Sequence, residues 1–316
     1  MAEPIAREGR AMGSPLRLQA MASARSVDRA WVAVVDEFEA TEAALSRFRR
    51  SSEIELARRN GGLALQPTRR LARALTVADR ARRITGGRFE PRVLADLERL
   101  EGEVVDGAGR PSGAPPGDRP APGRQLALLE RDGRDGPIRM DDPVDFGGIG
   151  KGLALRWAAR RVELALGGLP FLLEAGGDLV GAGSPDTVGW RIGIEDPRGD
   201  TVPVAMLVGA GARFGVATSS VRLAHWRGAD GRELHHLIDP TTGDPGGEGL
   251  LAVTVAATDP AWAEVWSKSL FLEGAAAIGD VARRHGLAAW WVTADGELRM
   301  TPAARPRTAW VASEAA

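Results

Sequence analysis

The chain has 316 residues, of which 44% are apolar and 26% are charged, so it can bury a substantial core as one large domain or two ordinary ones. Its formal net charge of −1 shows no basic excess for nucleic acid or an anionic membrane surface, and the lack of cysteine excludes disulfides, thiolate catalysis and cysteine metal sites. The first residues include an early acid and no apolar segment, and no apolar run could span a bilayer, so we expect a cytoplasmic protein.

The first third of the chain reads as one strand followed by two helices. Alternating apolar and polar residues predict a strand over 15–21. Ser26 can cap a long helix from about Val27 to Ser46. A second helix begins after Pro67 and ends at Gly86-Gly87, a pair typical of a helix C-terminus. Residues 102–124 are rich in Gly and Pro, which indicates an exposed insertion or loop.

The remainder mixes helices with strands. Strands are predicted at 171–173, 190–195, 203–208, 250–257, 289–292 and 298–300, and helices at 151–166, 260–272 and 275–285. We expect a loose tail after residue 301. Because the two kinds of element do not alternate strictly, the pattern favours an α+β fold over a doubly wound sheet.

Lysine is rare in this chain, which has 39 arginines but only Lys151 and Lys268. Both lie in stretches that read as sites, residues 147–152 and 266–271. A compact ammonium can approach a phosphate or carboxylate where a planar guanidinium does not fit. Chance placement in two helices is the alternative, and we favour a functional role.

A glycine-rich turn, residues 145–152, leads into a helix. Glycine lets the backbone turn tightly and approach a ligand, and a helix N-terminus offers N–H groups that suit a phosphate. The residue after Lys151 is glycine rather than Ser or Thr, so this is not the Walker phosphate loop. Such turns are also common structural devices, and the lysine is what favours a site here.

His235 and His236 precede a turn built around Asp239 and Pro240. Histidine can act as an acid or base near neutral pH, although these residues could also only close a strand into a loop. Glu264 and Lys268 are four apart on a predicted helix and share one face. On helix statistics alone, that pair is an ordinary surface ion pair.

Taken in order, nine short blocks resemble the ApbE family, the FAD:protein FMN transferases. They are Met12-Gly13-Ser14, 46–60, Gly86 to Pro91, Asp145 to Gly152, Glu174 to Asp178, Trp190 to Pro197, Ala217-Thr218-Ser219, His236 to Gly243 and Ala263 to Gly274. Each block is weak alone, but nine in order are a specific match across nearly the whole chain.

The resemblance implies an ApbE-type α+β fold of mixed sheets with packed helices, as a single large domain over 1–316. It also implies that this domain binds FAD with a divalent metal, usually Mg²⁺, on its pyrophosphate. The reaction would move the FMN part of FAD onto a Thr or Ser hydroxyl of an acceptor protein with an FMN-binding domain, releasing AMP. Two alternatives stay open. One is a non-catalytic FAD-binding protein, and the other is a metal-dependent FAD pyrophosphatase that gives FMN and AMP.

The resemblance also implies roles for individual residues. His236 would be the base, and the metal would use the backbone near Gly148 together with Glu264. We place Lys268, which departs from the family pattern, in the same catalytic site. The residues implied in FAD binding are Met12, Phe48, Arg88, Phe89, Glu90, Asp145, Lys151, Thr218 and Leu237.

This chain departs from the family pattern in three blocks. Glu90 and Arg92 stand where the family has aspartate and threonine, and Ser220 stands in place of a glycine. The metal-binding helix normally shows aspartate and, four residues later, threonine; here these are Glu264 and Lys268. Glutamate can ligate Mg²⁺ but an ammonium cannot. Two interpretations stay open: Lys268 replaces part of the metal's charge, or it marks a branch that binds FAD without using Mg²⁺ in the ordinary way.

Overall fold

An eight-stranded antiparallel sheet forms the centre of the computed structural model, which describes residues 3–102, 126, 128–129, 136–222, 224–228 and 231–312. Its strands in spatial order are β1 (Ile5–Ala11), β2 (Ser14–Ala20), β6 (Phe171–Ala175), β7 (Asp178–Ala182), β10 (Phe214–Ser220), β13 (Leu250–Ala257), β14 (Ala288–Thr293) and β15 (Leu298–Met300). Every neighbouring pair in this sheet is antiparallel.

Three smaller sheets accompany the central one. Their strands are β8 (Trp190–Ile194), β9 (Ala205–Gly209) and β16 (Thr308–Val311) in the first, β3 (Leu63–Ala64), β4 (Leu128–Leu129) and β5 (Ile138–Arg139) in the second, and β11 (His225–Arg227) and β12 (Glu233–His235) in the third.

Seven α-helices lie within the described residues. They are α1 (Ala24–Leu45), α2 (Glu53–Arg59), α3 (Arg69–Ile84), α4 (Leu94–Gly102), α5 (Gly150–Leu166), α6 (Pro260–Leu272) and α7 (Gly274–Arg284). None of these is long and apolar enough to cross a membrane.

The alternation of side chains along the central strands separates two apolar layers. In β6, Phe171 and Leu173 face α1 and α5, whereas Leu172 faces the sheet formed by β8, β9 and β16. Helices α6 and α7 cover the central eight-stranded sheet further along, around Val253 and Val255 of β13. Helices therefore cover one face and a small sheet covers the other, which confirms the expected α+β class in one domain.

The start of α1 and the end of the chain differ from expectation. Ser23 caps α1, and its side chain accepts a hydrogen bond from the Ser26 N–H, so the helix begins three residues before the predicted start. The tail expected to be loose after residue 301 is held in place up to residue 312, because β16 pairs with β9 and Thr308 accepts a hydrogen bond from the Trp290 indole. Residues 313–316 lie outside the described residues. Of the predicted insertion at 102–124, Gly102 ends α4 and the rest lies outside the described residues.

Helix α5 approaches α6 closely at its N-terminus. A Cβ added to Gly152 would lie 2.5 Å from the Ala261 Cα and 2.8 Å from the Pro260 carbonyl oxygen, so only glycine fits there. Ile149 caps α5 without a side-chain hydrogen bond. Within the first turn of α5, the Gly150 N–H donates to the Phe146 carbonyl oxygen at 2.7 Å, and the Gly152 N–H donates to the buried Glu264 of α6 at 2.7 Å.

Candidate functional site

A cavity of about 330 Å³ opens between the segment after α3, the turn before α5, the β11–β12 hairpin and α6. Nine of the residues predicted for the site line it: Phe48, Arg88, Phe89, Glu90, Asp145, Gly148, His236, Leu237 and Lys268. Its other walls are mainly apolar and include Val93, Leu97, Trp226, Ile238 and Leu272. A mainly apolar pocket with a few convergent polar groups is the usual form of a small-molecule site.

His236 lies in this cavity in a defined tautomer. Its Nδ1 is 3.2 Å from the carbonyl oxygen of Ala224, which can only accept a hydrogen bond, so Nδ1 carries the proton. The Nε2 lone pair is then free to accept a proton. Burial and the Lys268 ammonium lower the pKa of His236 from 6.5 to about 4, which keeps the ring neutral at neutral pH.

His235 has a different environment from its neighbour. Its Nδ1 accepts a hydrogen bond from the Leu237 N–H at 3.2 Å, and its ring meets Phe271 edge to face at 5.8 Å. Burial lowers the pKa of His235 to about 4 as well. We therefore assign His235 to holding the hairpin and His236 to the cavity.

Both lysines of the chain belong to one buried network of charges. Lys151 Nζ is 2.6 Å from Asp178 Oδ2, and Lys268 Nζ is 3.5 Å from Glu264 Oε1. Burial alone would lower the pKa of Lys151, but Asp178 and Glu264 outweigh it and raise the pKa. Burial raises the pKa of Glu264, against the opposing effect of the two ammonium groups. The network alternates two cations with two carboxylates.

Thr218 and Asp178 lie at a second cavity, of about 280 Å³, rather than at the first. The Thr218 N–H donates to Asp178 Oδ1 at 3.1 Å, and the Thr218 hydroxyl bonds to that of Thr254 at 2.9 Å. Asp178 is thereby held toward Lys151. Since the charge of Lys151 also acts on His236, this lysine connects the two cavities electrostatically.

Glu90 is bound on both oxygens by Arg92, at 2.8 Å and 2.7 Å. The Arg92 side chain is buried and also lies 3.6 Å from Asp142. Arg88 donates to Asp239 at 3.0 Å and lies 3.3 Å from Glu273. The acidic wall of the cavity is therefore fixed by arginines, and Glu90 is not a free carboxylate.

Asp145 is another carboxylate that lines the first cavity. It caps its own turn by accepting from the Gly147 N–H at 2.9 Å, and Arg47 lies 3.5 Å away. Burial raises the pKa of Asp145, and Arg47 opposes that rise. The guanidinium of Arg47 also lies over the ring of Phe48, 4.1 Å from its centroid, and leaves that ring largely exposed at the cavity edge.

Two glycines of the turn before α5 allow close packing around the cavity. A Cβ on Gly148 would lie 2.8 Å from the Phe89 ring and 3.2 Å from Lys268 Cδ, so the lysine stem rests directly on this backbone. A Cβ on Gly150 would touch Met12 at 3.6 Å. Met12, in the β1–β2 turn with a φ of 49°, therefore packs against the start of α5 rather than lining the cavity.

The sequence model of the ApbE family matches residues 12–291 of this chain. The chain belongs to the ApbE family.

Among curated relatives, the chain is 32% identical over 155 residues to the FAD:protein FMN transferase of Escherichia coli K12, covering 49% of this chain and 43% of that protein. It is 31% identical over 182 residues to the protein of the same name from Klebsiella pneumoniae, covering 55% and 50%. The matches thus span about half the length of these curated relatives.

Solved structures of ApbE proteins share the fold. The ApbE protein of Thermotoga maritima superposes with a TM-score of 0.81 at 21% identity, covering 96% of this chain and 99% of that one. The apo flavinyl transferase ApbE of Pseudomonas stutzeri gives a TM-score of 0.75 at 24% identity, covering 96% of both chains. These likenesses place the antiparallel sheet and its helices in the ApbE fold.

Two residues of this ApbE site were not predicted. Asp178 closes the Glu174 to Asp178 block, and its pairing with Lys151 could have been suspected because both belong to ApbE-like blocks. Arg47 precedes the predicted Phe48, and nothing in the sequence distinguishes it from the other arginines of a chain that has 39. Of the predicted residues, Glu264 lies fully buried beneath Lys268 and does not line the first cavity.

Proposed function

We propose that the protein transfers the FMN moiety of FAD to a Thr or Ser hydroxyl of an acceptor protein and releases AMP. The observation that carries this proposal is the pair of ion pairs Lys151–Asp178 and Lys268–Glu264, in which Asp178 lines the second cavity and Lys268 lines the first. A dinucleotide has two bulky ends joined by a pyrophosphate. Lys151 and Lys268, the only lysines in the chain, provide the compact cations that a pyrophosphate requires.

The reaction exchanges one bond to phosphorus for another. The acceptor hydroxyl oxygen attacks the phosphorus of the FMN half, the bond from that phosphorus to the bridging oxygen breaks, and AMP leaves with the bridging oxygen. The hydroxyl proton passes to Nε2 of His236, and water then takes it up. Because phosphoryl transfer needs little covalent participation, placing the two oxygens in line and neutralising charge are the protein's main tasks.

His236 suits the role of base because its tautomer is fixed. The hydrogen bond from Nδ1 to Ala224 orients the ring and keeps Nε2 unprotonated. A pKa of about 4 makes it a weak base, but one that carries no proton near neutral pH. Its proton affinity rises as negative charge develops near Lys268 in the transition state.

Mg²⁺ at Glu264 and the backbone near Gly148 was expected from the family pattern, and the residues present do not fit such an ion. Oε2 of Glu264 already accepts from the Gly152 N–H, and Oε1 faces the Lys268 ammonium at 3.5 Å. Magnesium requires oxygen ligands at about 2.1 Å, and an ammonium offers none. Across the described residues, no group of three or more His, Asp or Glu side chains could hold a metal.

The acceptor would be a protein with an FMN-binding domain that presents its hydroxyl at the mouth of the first cavity. The exposed ring of Phe48 and the apolar lining suit an isoalloxazine ring or an apolar loop of the acceptor. Nothing in the chain's net charge favours a nucleic-acid partner.

The test is to incubate purified protein with FAD and an FMN-acceptor domain, and to read intact mass and AMP release. We expect one FMN per acceptor and one AMP per FMN transferred. His236→Gln should lower the rate by about 10² to 10⁴ while FAD still binds. Free FMN and AMP without an acceptor would instead identify a pyrophosphatase, and unchanged bound FAD would identify a binding protein.

A further inference from the structure

The Glu264 carboxylate has one oxygen without a hydrogen bond, although its side chain is fully buried. Oε2 accepts from the Gly152 N–H, whereas Oε1 has no hydrogen-bond partner. A buried carboxylate of this kind needs a positive charge beside it. Lys268, one turn later on α6, supplies that charge at 3.5 Å.

The position of Lys268 is set from two sides. Its stem rests on the backbone of Gly148, where an added Cβ would lie 3.2 Å from Cδ. Its ammonium lines the cavity that holds His236, and its charge acts on Asp145 and on His236. The ammonium is thus confined between the turn before α5 and the Glu264 oxygen.

This confinement puts a fixed cation where Glu264 would otherwise present an oxygen to a divalent ion. An ion bound to Oε1 at about 2.1 Å would lie within a few ångströms of the ammonium, and the two cations would repel each other. An ammonium has three N–H donors, and only one can point at Oε1. The other two can donate to phosphate oxygens in the cavity.

We propose that Lys268 takes the place of the divalent cation in this chain, so that the pyrophosphate of FAD is neutralised by a resident ammonium and FMN transfer proceeds without a divalent metal. This inference rests on the proposed function. The chemistry is otherwise unchanged: the hydroxyl oxygen bonds to phosphorus, the bond to AMP breaks, and Lys268 donates to the oxygens that gain charge without losing its proton.

The first measurement uses metal-stripped protein with FAD and follows Mn²⁺ by electron paramagnetic resonance, with FAD alone as the reference. We expect wild-type protein to bind no Mn²⁺ beyond that reference, and EDTA to change FAD affinity and transfer rate less than twofold. Lys268→Thr, which replaces the ammonium by an oxygen ligand, should bind one Mn²⁺ and regain at least tenfold in rate when Mg²⁺ is added.

Lys268→Met is the matched control, because its unbranched side chain keeps the packing on Gly148 but supplies neither charge nor ligand. We expect its transfer rate to fall by about 10² to 10³, with or without Mg²⁺. Since that variant leaves Glu264 unpaired and could fail to fold, the double variant Glu264→Gln with Lys268→Met removes both charges, and it should show the same loss.

Two results would overturn the inference. One is a wild-type protein that binds one Mn²⁺ tightly with FAD and loses its activity in EDTA. The other is a Lys268→Met protein that binds FAD and transfers FMN as the wild type does. If no acceptor is ever modified, the proposed function fails, while the Mn²⁺ titration and the FAD affinities in EDTA still decide the role of Lys268.

Discussion

Lowering the pH should destabilise the fold through His236 by an amount that the structure allows us to calculate. The folded pKa is about 4 and the ordinary value is 6.5, so the unfolded chain takes up a proton before the folded one. The contribution of His236 to the free energy of unfolding is therefore fully present above pH 6.5 and is lost as the pH falls toward 4. Between pH 7.5 and pH 5 the loss is about 2 kcal/mol.

The assay is urea unfolding of the wild type and of His236→Gln at several pH values from 7.5 to 5. Glutamine can still donate to the Ala224 carbonyl but does not titrate, so the variant should lose about 2 kcal/mol less over this range. His235 shares the low pKa and remains in both proteins, so the difference between their slopes isolates His236. Identical slopes would refute the buried, neutral assignment of this ring.

Three further predictions concern the same region. Gly152→Ala should destabilise the protein by about 1–3 kcal/mol in thermal unfolding, because the added Cβ would meet the backbone of α6. Gly279→Ala in α7 is the control: its added Cβ would have its nearest contact at 3.7 Å, so this variant should be as stable as the wild type or more stable. Lys151→Met should lower the free energy of unfolding in urea by about 3 kcal/mol, because it leaves the buried Asp178 carboxylate unpaired. Adding Asp178→Asn to this variant should restore part of that free energy. If the losses of the two single variants simply added in the double variant, the pairing would be contradicted. The pH profile of kcat/KM should show no acid limb from His236 near 6.5, and a limb there would mean that another group is the base.

Much of the site could be predicted because its residues lie in short local blocks. The helix after the glycine-rich turn starts one residue before the predicted Lys151, and Gly167 ends it with a φ of 63°. The rarity of lysine pointed to Lys151 and Lys268, and the structure brings both into one network. Because the chain uses arginine almost everywhere else, the presence of a lysine indicated a special position. The residue count alone therefore pointed to two residues that lie in one charge network in the folded protein.

Pairings between distant segments could not be predicted from local patterns. Strand β7 is buried on both faces, so Asp178–Ala182 shows no alternation to identify it. Strand β1, Ile5–Ala11, lies at the sheet edge and reads as a polar segment. The ion pair of Lys151 with Asp178 depends on β7 lying beside the start of α5, which only the assembled sheet determines.

The two most unusual departures from the ApbE pattern are explained by one physical rule. Glu90 with Arg92, and Glu264 with Lys268, each add a cation beside a buried or half-buried carboxylate. A buried charge without a partner is costly, so an arginine or lysine could not replace a threonine in either place unless a carboxylate lay within reach. Each change therefore forms an ion pair with a nearby carboxylate. At Glu90, which lines the first cavity, the pair occupies both carboxylate oxygens. At Glu264 the pair leaves the ammonium directed toward the cavity, so the same rule yields a structural contact in one wall and a candidate phosphate contact in the other.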